Sequence, residues 1–212
     1  VLVGTQMIAK GHDFRRVTLV AAINPDAALF SSDFRAPERL FALLMQSAGR
    51  AGRDAAQSAA SEMWVQTQHA QHPLFAALKA HDYPGFAAAQ LAERAQAGLP
   101  PFTHLALLRA DARSQDAAQG FLAAFAQMAQ QRLAADPALA DALAPISWYP
   151  AVPLAMQRVA GIERAQMLLE SPARGALQRV LAAGQPLLHA LRADPAHRAI
   201  VRWAIDVDPL AM

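Results

Sequence analysis

Gln46-Ser47-Ala48-Gly49-Arg50-Ala51-Gly52-Arg53 follows a segment in which Leu40, Phe41, Leu44 and Met45 recur at helical spacing. The spacing predicts an amphipathic helix whose apolar stripe faces a core and whose C-terminal end delivers two guanidinium groups. A guanidinium is always charged, forks onto two phosphate oxygens at once, and can stabilise the charge spread over a phosphoryl group in transfer. Glycine at positions 49 and 52 allows close backbone approach where a β-carbon would intrude. Arg50 and Arg53 are therefore candidate phosphate-contacting residues. A plainer reading of the same letters also stands: cations suit the negative end of a helix dipole, and glycine suits the cap.

Upstream, Val1-Leu2-Val3 is a short β-branched run, and Gly4-Thr5 directly after it reads as a strand opening into a loop. Backbone N–H groups and a hydroxyl in such a loop can meet phosphate. Lysine occurs only at Lys10 and Lys79 among the 19 basic residues. Lys10, beside Gly11, reads either as a phosphate-facing point charge or as a solvated loop lysine. A second apolar strand is predicted over Val17–Ile23.

These two elements, Gly4-Thr5-Gln6-Met7-Ile8-Ala9-Lys10-Gly11-His12-Asp13-Phe14 and Q-x-x-G-R-x-G-R at 46–53, look like the last two signature motifs of superfamily 2 nucleic-acid helicases. Between them, Asp26-Ala27-Ala28-Leu29-Phe30-Ser31-Ser32-Asp33-Phe34-Arg35-Ala36-Pro37-Glu38-Arg39 resembles the PriA (primosomal protein N′) family of bacterial replication-restart helicases. Val65-Gln66-Thr67, His72-Pro73, Ala92-Glu93-Arg94, Leu99-Pro100-Pro101-Phe102 and Asp206-Val207-Asp208-Pro209 fall where that family has them, so the resemblance covers essentially the whole chain.

The resemblance implies an ATP-dependent 3′–5′ DNA helicase that recognises stalled forks and directs primosome assembly. Arg50 and Arg53 would reach the γ-phosphate, and Gln46 would orient the nucleotide or the attacking water. Gly49, Gly52 and Asp13 would face the nucleotide, while Gly4, Thr5, Gln6 and Lys10 would hold the tracked DNA strand. ATP and Mg2+ would be bound mainly by another lobe, because the chain contains no G-x-x-x-x-G-K-[ST] loop. Zinc in the family is bound upstream, so none is expected here. Partners would be forked and single-stranded DNA, restart proteins of the primosome and single-stranded DNA-binding protein, in the bacterial cytoplasm near the nucleoid and without a membrane. Two alternatives remain open: another superfamily 2 DNA translocase, or a non-catalytic DNA-binding scaffold derived from such a motor.

Composition is compatible with this and would not have revealed it. With 212 residues and 54% hydrophobic content, two modest cores are the better expectation. Cysteine is absent, which excludes disulfides and thiolate metal sites, and no apolar run approaches a membrane span. Val1 stands immediately before a strand without an initiator Met, as expected for a piece of a longer protein. The net charge of +2 is mild and claims no large nucleic-acid footprint by itself.

Three regions are expected: residues 1–70, part of a RecA-like second helicase lobe; residues 71–102, a helical extension and linker; and residues 103–212, a small α+β domain. In the first, Ser31-Ser32-Asp33 supplies capping side chains ahead of Pro37, and Met63–Thr67 reads as a further strand. In the second, His72–Gly98 is predicted helical, with Pro73 and Pro84 near helix starts, Gly98 as a stop, and Phe75, Leu78, Phe86 and Leu91 packing inward. His69 and His72, three apart, lack a third clustered ligand and read as structural. Paired prolines at Leu99–Phe102 mark the boundary.

In the third, strands are predicted over Thr103–Ala110, Ile146–Pro153, Ala165–Glu170 and Ala199–Asp206, with a long helix from Ser114. Asp136–Ala144 has no clear pattern. A second helix is predicted to open at Ser171-Pro172 and to kink or split at Gly184 and Pro186. The β-α-β-β-α-β order suggests a ferredoxin-like layer. In the family this domain binds DNA and restart factors, and a basic and aromatic run occupies the loop between its middle strands. Here that loop, Met156–Ala165, keeps Arg158 and Arg164 as candidate DNA contacts but lacks an adjacent aromatic. Trp148, Tyr149 and Trp203 read as core residues first and base platforms second.

Overall fold

The structure is a computed structural model, and it describes residues 1, 3–4, 17–31, 33–49, 51 and 61–210. The chain divides into two compact units, Val1–Glu93 and Arg94–Met212. One is built on a two-stranded parallel sheet and the other on an antiparallel sheet, so the architecture is mixed α/β.

The first unit runs β1 (Leu19–Ile23), a single turn α1 (Asp26–Leu29), α2 (Ala36–Ala48), β2 (Glu62–Gln66), α3 (Pro73–Ala80) and α4 (Tyr83–Ala97), the last crossing the division. β1 and β2 pair in parallel with Ala21 opposite Trp64. Alternation along both strands turns Ala22, Met63 and Val65 toward a cluster of Leu29, Leu40, Phe41, Leu44, Leu74, Phe75, Leu78 and Phe86. Leu19, Ile23 and Trp64 alternate to the opposite side and are exposed. Of the expected strand at Val1–Val3, the described residues Val1 and Val3 lie outside regular structure and are exposed.

The helices begin as their residues dictate. Pro37 occupies the first turn of α2, and Asp33 Oδ1 accepts the Arg35 N–H at 2.9 Å just before it, though Arg35 at the cap position itself offers no side-chain bond. His72 caps α3 by accepting the Leu74 N–H at Nδ1, 3.2 Å, and Gly98, at φ +63, follows α4 in the left-handed region. Phe75, Leu78 and Phe86 pack inward as expected. Leu91 does not: it is 43% exposed, on a face of α4 that its unit leaves uncovered.

The second unit runs β3 (His104–Ala112), α5 (Gln115–Ala134), α6 (Pro137–Leu143), β4 (Ser147–Trp148), β5 (Val152–Val159), β6 (Ile162–Ser171), α7 (Arg174–Ala193), a 3₁₀ turn at Pro195–His197, and β7 (Ile200–Val207). The antiparallel strand order is β4–β6–β3–β7, and β5 also pairs with β6. Ala106, Leu108 and Ala110 of β3 and Ala165, Met167 and Leu169 of β6 share the core with Phe121, Leu122 and Phe125 of α5 and Leu177, Val180 and Leu188 of α7. Ser114 caps α5 by accepting the Ala117 N–H at 3.3 Å.

Asp136–Ala144, which has no clear pattern in the sequence, is helical: Asp136 accepts the Ala138 N–H at 2.9 Å and Pro137 starts α6. Two expectations need correction. α7 opens at Arg174 rather than Ser171, because Ser171 is the last residue of β6, paired with His104, and its hydroxyl accepts the Ala173 N–H. α7 also runs unbroken through Gly184 and Pro186. A β-carbon on Gly184 would stand 2.9 Å from Cζ of Phe125, so the glycine serves close helix packing instead of a break.

Candidate nucleotide and nucleic-acid sites

α2 delivers the first part of the arginine motif. Leu40, Phe41 and Leu44 bury one face, and Gln46 falls on the exposed face in the last turn of the helix. Ser47 Oγ donates to the Leu43 carbonyl at 2.8 Å. Gly49, at the C-cap, has φ −66, and among the described residues a β-carbon there would meet the Met45 and Gln46 carbonyls at ordinary distances of 3.5 and 3.8 Å. A left-handed cap does not require this glycine, which corrects the plainer reading of it. Gly4 is exposed and outside regular structure. Thr5, Gln6, Lys10, Asp13, Arg50, Gly52 and Arg53 lie outside the described residues.

The segments that follow β1 and β2 are tied together by Asp26, whose part the sequence did not reveal. The Thr67 hydroxyl donates to Asp26 Oδ1, the Gln68 N–H donates to Oδ2 at 2.9 Å, and the Asn24 N–H donates to the Gln66 carbonyl at 3.1 Å. The Thr67 hydroxyl and then the Gln68 amide hold the Asp26 carboxyl below its ordinary range. Asp33 is likewise lowered: burial pushes it up, but the Arg35 amide and the Arg39 guanidinium, 2.5 Å away, outweigh that. The only sequence signal was an Asp after Asn-Pro, which marks a turn without naming its partner.

His69 stacks edge-on against Phe30 with centroids 4.5 Å apart, and His72 caps a helix. No group of three potential metal ligands occurs among the described residues. No helix among them is long and apolar enough to cross a membrane.

In the second unit the segment Met156–Ala165 is not a loop but the two arms of a hairpin, β5 and β6, turning at Ala160-Gly161, both at positive φ. Arg158 faces Glu163 across it, with N–O at 3.5 Å. Arg164 lies in the register β6–β3–β7 with Asp111 and Arg202. Asp111 Oδ1 is 3.6 Å from Arg164 Nε, while its Oδ2 receives Arg202 Nε at 2.9 Å and Nη2 at 2.8 Å. Sequence reasoning missed Asp111 because cross-strand partners appear only once register is known.

β5 departs from regular pairing between Pro153, opposite Ala165, and Arg158, opposite Glu163, so four of its residues face the single Arg164. Trp148 and Trp203 pack against the core, as read from sequence. Tyr149 is exposed and donates to Glu170 at 2.8 Å, and that bond to a carboxylate raises its pKa.

Residues 95–210 match the family of the primosomal protein N C-terminal domain. Over nearly all of its length the chain is similar to proteins named replication restart protein PriA. The Haemophilus influenzae protein is 41% identical over 209 residues, 99% of this chain and 26% of the relative. The Treponema pallidum protein is 38% identical over 211 residues, 99% and 29%. The Synechocystis protein is 33% identical over 211 residues, 100% and 23%. The chain thus spans about a quarter of the length of the curated relatives it matches.

Proposed function

The chain belongs to the PriA family of replication restart proteins, and from that premise we propose that it is the part of an ATP-dependent 3′–5′ DNA helicase that completes the nucleotide site and carries a DNA- and partner-binding domain. The observation that carries this is similarity to replication restart proteins along both units of the chain, not along one alone. Parallel pairing of β1 with β2 supports reading the first unit as part of a RecA-like lobe. The antiparallel neighbours β5–β6–β3–β7 with the two long helices α5 and α7, to which α6 and the short β4 are added, support a ferredoxin-like reading of the second.

ATP with Mg2+ would supply the phosphoryl group and the charge to be neutralised, cradled mainly by a phosphate loop outside this sequence. From this chain, Arg50 and Arg53 would place guanidiniums against the γ-phosphate, and Gln46, exposed at the end of α2, is accessible to orient the nucleotide or a water. Asp13, Gly49 and Gly52 would border the nucleotide. Gly4, Thr5, Gln6 and Lys10 would hold the phosphates of the tracked strand, and Arg158 and Arg164 would contribute further DNA contacts. Zinc would be held outside residues 1–212. Forked DNA, primosome proteins and single-stranded DNA-binding protein are the partners this reading names, in the bacterial cytoplasm at the nucleoid.

DNA-stimulated ATP hydrolysis by the longer protein tests it. Arg50→Ala and Arg53→Ala are each expected to lower turnover by about a thousandfold, and unchanged turnover in folded variants would remove the arginine assignment. Residues 1–212 alone are expected to hydrolyse no ATP.

A further inference from the structure

At one end of the antiparallel sheet, three strand ends converge with an excess of cations. β3 ends at Ala112 and is followed by Arg113, whose N–H donates to the Ala199 carbonyl at 3.0 Å, placing Arg113 beside Arg198 at the entry to β7. Arg202 and Arg164 flank Asp111 from the two neighbouring strands, and Arg158 stands on the adjacent hairpin arm. The nearest acids, Asp111 and Glu163, are already engaged with Arg164, Arg202 and Arg158. Arg113 and Arg198 are exposed and have no carboxylate partner among the described residues. Asp116, in the first turn of α5, and Asp194, which caps the 3₁₀ turn, are the next acids along the chain.

Asp111, only 14% exposed, aims its two neighbours as well as neutralising charge. It holds Arg202 by Nε and one terminal nitrogen, leaving the other terminal nitrogen of a 70% exposed side chain toward solvent. Two strand spacings separate Arg164 from Arg202, about 10 Å, a length along which one DNA strand presents roughly three phosphates.

Resting on the DNA-binding reading above, we propose that this end of the sheet, with Arg113 and Arg198 as its free cations and Arg164 and Arg202 as its fixed ones, is a docking rim for the phosphate backbone of DNA. With no aromatic side chain among these cations, the rim reads charge and not base identity.

Fluorescence anisotropy of a short labelled single-stranded oligonucleotide with the full chain, titrated over a range of salt, tests this. Each lost phosphate contact flattens the dependence of log K on log salt by about 0.7 for a single strand, and near about 0.1 M salt weakens binding about fivefold, so Arg113→Ala/Arg198→Ala is expected to bind about twenty-fivefold more weakly. Arg113→Lys/Arg198→Lys should retain most of the affinity, which separates charge from folding. Arg132→Ala, which removes one charge near the far end of α5, should leave binding unchanged.

Equal weakening by Arg132→Ala, or wild-type binding by the double alanine variant, overturns the rim and leaves the DNA reading intact. An absence of wild-type binding overturns both. A poly-glutamate peptide bound as tightly as the oligonucleotide would assign the rim to acidic protein segments and overturn it as a DNA site.

Discussion

Asp26 accepts from the Thr67 hydroxyl and the Gln68 amide and thereby joins the segments that follow the two parallel strands. Its carboxyl is held below the ordinary 3.8, so as the pH falls the unfolded chain takes up that proton before the folded one does. The contribution is whole above the ordinary value and is lost as the pH drops through the lowered one. Acid titration of the first unit should therefore show a loss of stability that Thr67→Val partly flattens; an identical acid profile in the variant would deny the carboxyl this part. In the other unit, Gly184→Ala gains about 1 kcal/mol of helix propensity but pushes a methyl against a ring with no room to retreat, Phe125 being 1% exposed. We expect a net destabilisation of about 1 kcal/mol by urea unfolding, and a stabilised variant would count against tight packing there. Periodicity placed Phe125 in the core, but it offered no means to know which residue would face it.

Among the elements, α5 and α7 contrast in how they begin. α5 opens on Ser114, a residue with the right hydroxyl at the right place, and Ser114→Ala should cost about 1 kcal/mol in a denaturant melt. α7 has no side-chain cap, since Ser171 is claimed by the strand before it. The sequence rule for a helix start was satisfied at Ser171-Pro172, yet pairing of β6 with β3 overrode it. Tertiary pairing is the term a local pattern lacks. By contrast β1 and β2, whose alternation agrees with their burial, were legible to within two residues. The hairpin arms at Met156–Ala165 read as a loop because the irregular β5 shows no period.

At the scale of the whole molecule, two cores of unequal size follow from two sheets. The helix-covered antiparallel sheet gathers a much larger set of buried side chains than the pair β1 and β2, whose second face exposes Leu19, Ile23 and Trp64. Amide exchange should accordingly be slower in β3 and β6 than in β1 and β2; the reverse order would mean that the parallel pair is stabilised by something other than its own cluster. The mixed α/β class, the helix α2 that leads into Gln46, and the long helix from Ser114 were legible from pattern, whereas α6 and the start of α7 were not. Ion pairs such as Arg202 with Asp111, separated by 91 positions, were not, because only register brings them together.

The irregular run of β5 has one more effect. A sheet with a straight outer strand offers its unpaired amides to any extended segment that drifts past, including the same strand of another molecule. Here Pro153 removes one donor, and four residues crowded opposite one spoil the spacing that such an intruder would need. Shortening Leu154–Gln157 to a single residue would mend the ladder, and with it invite fibrous self-association.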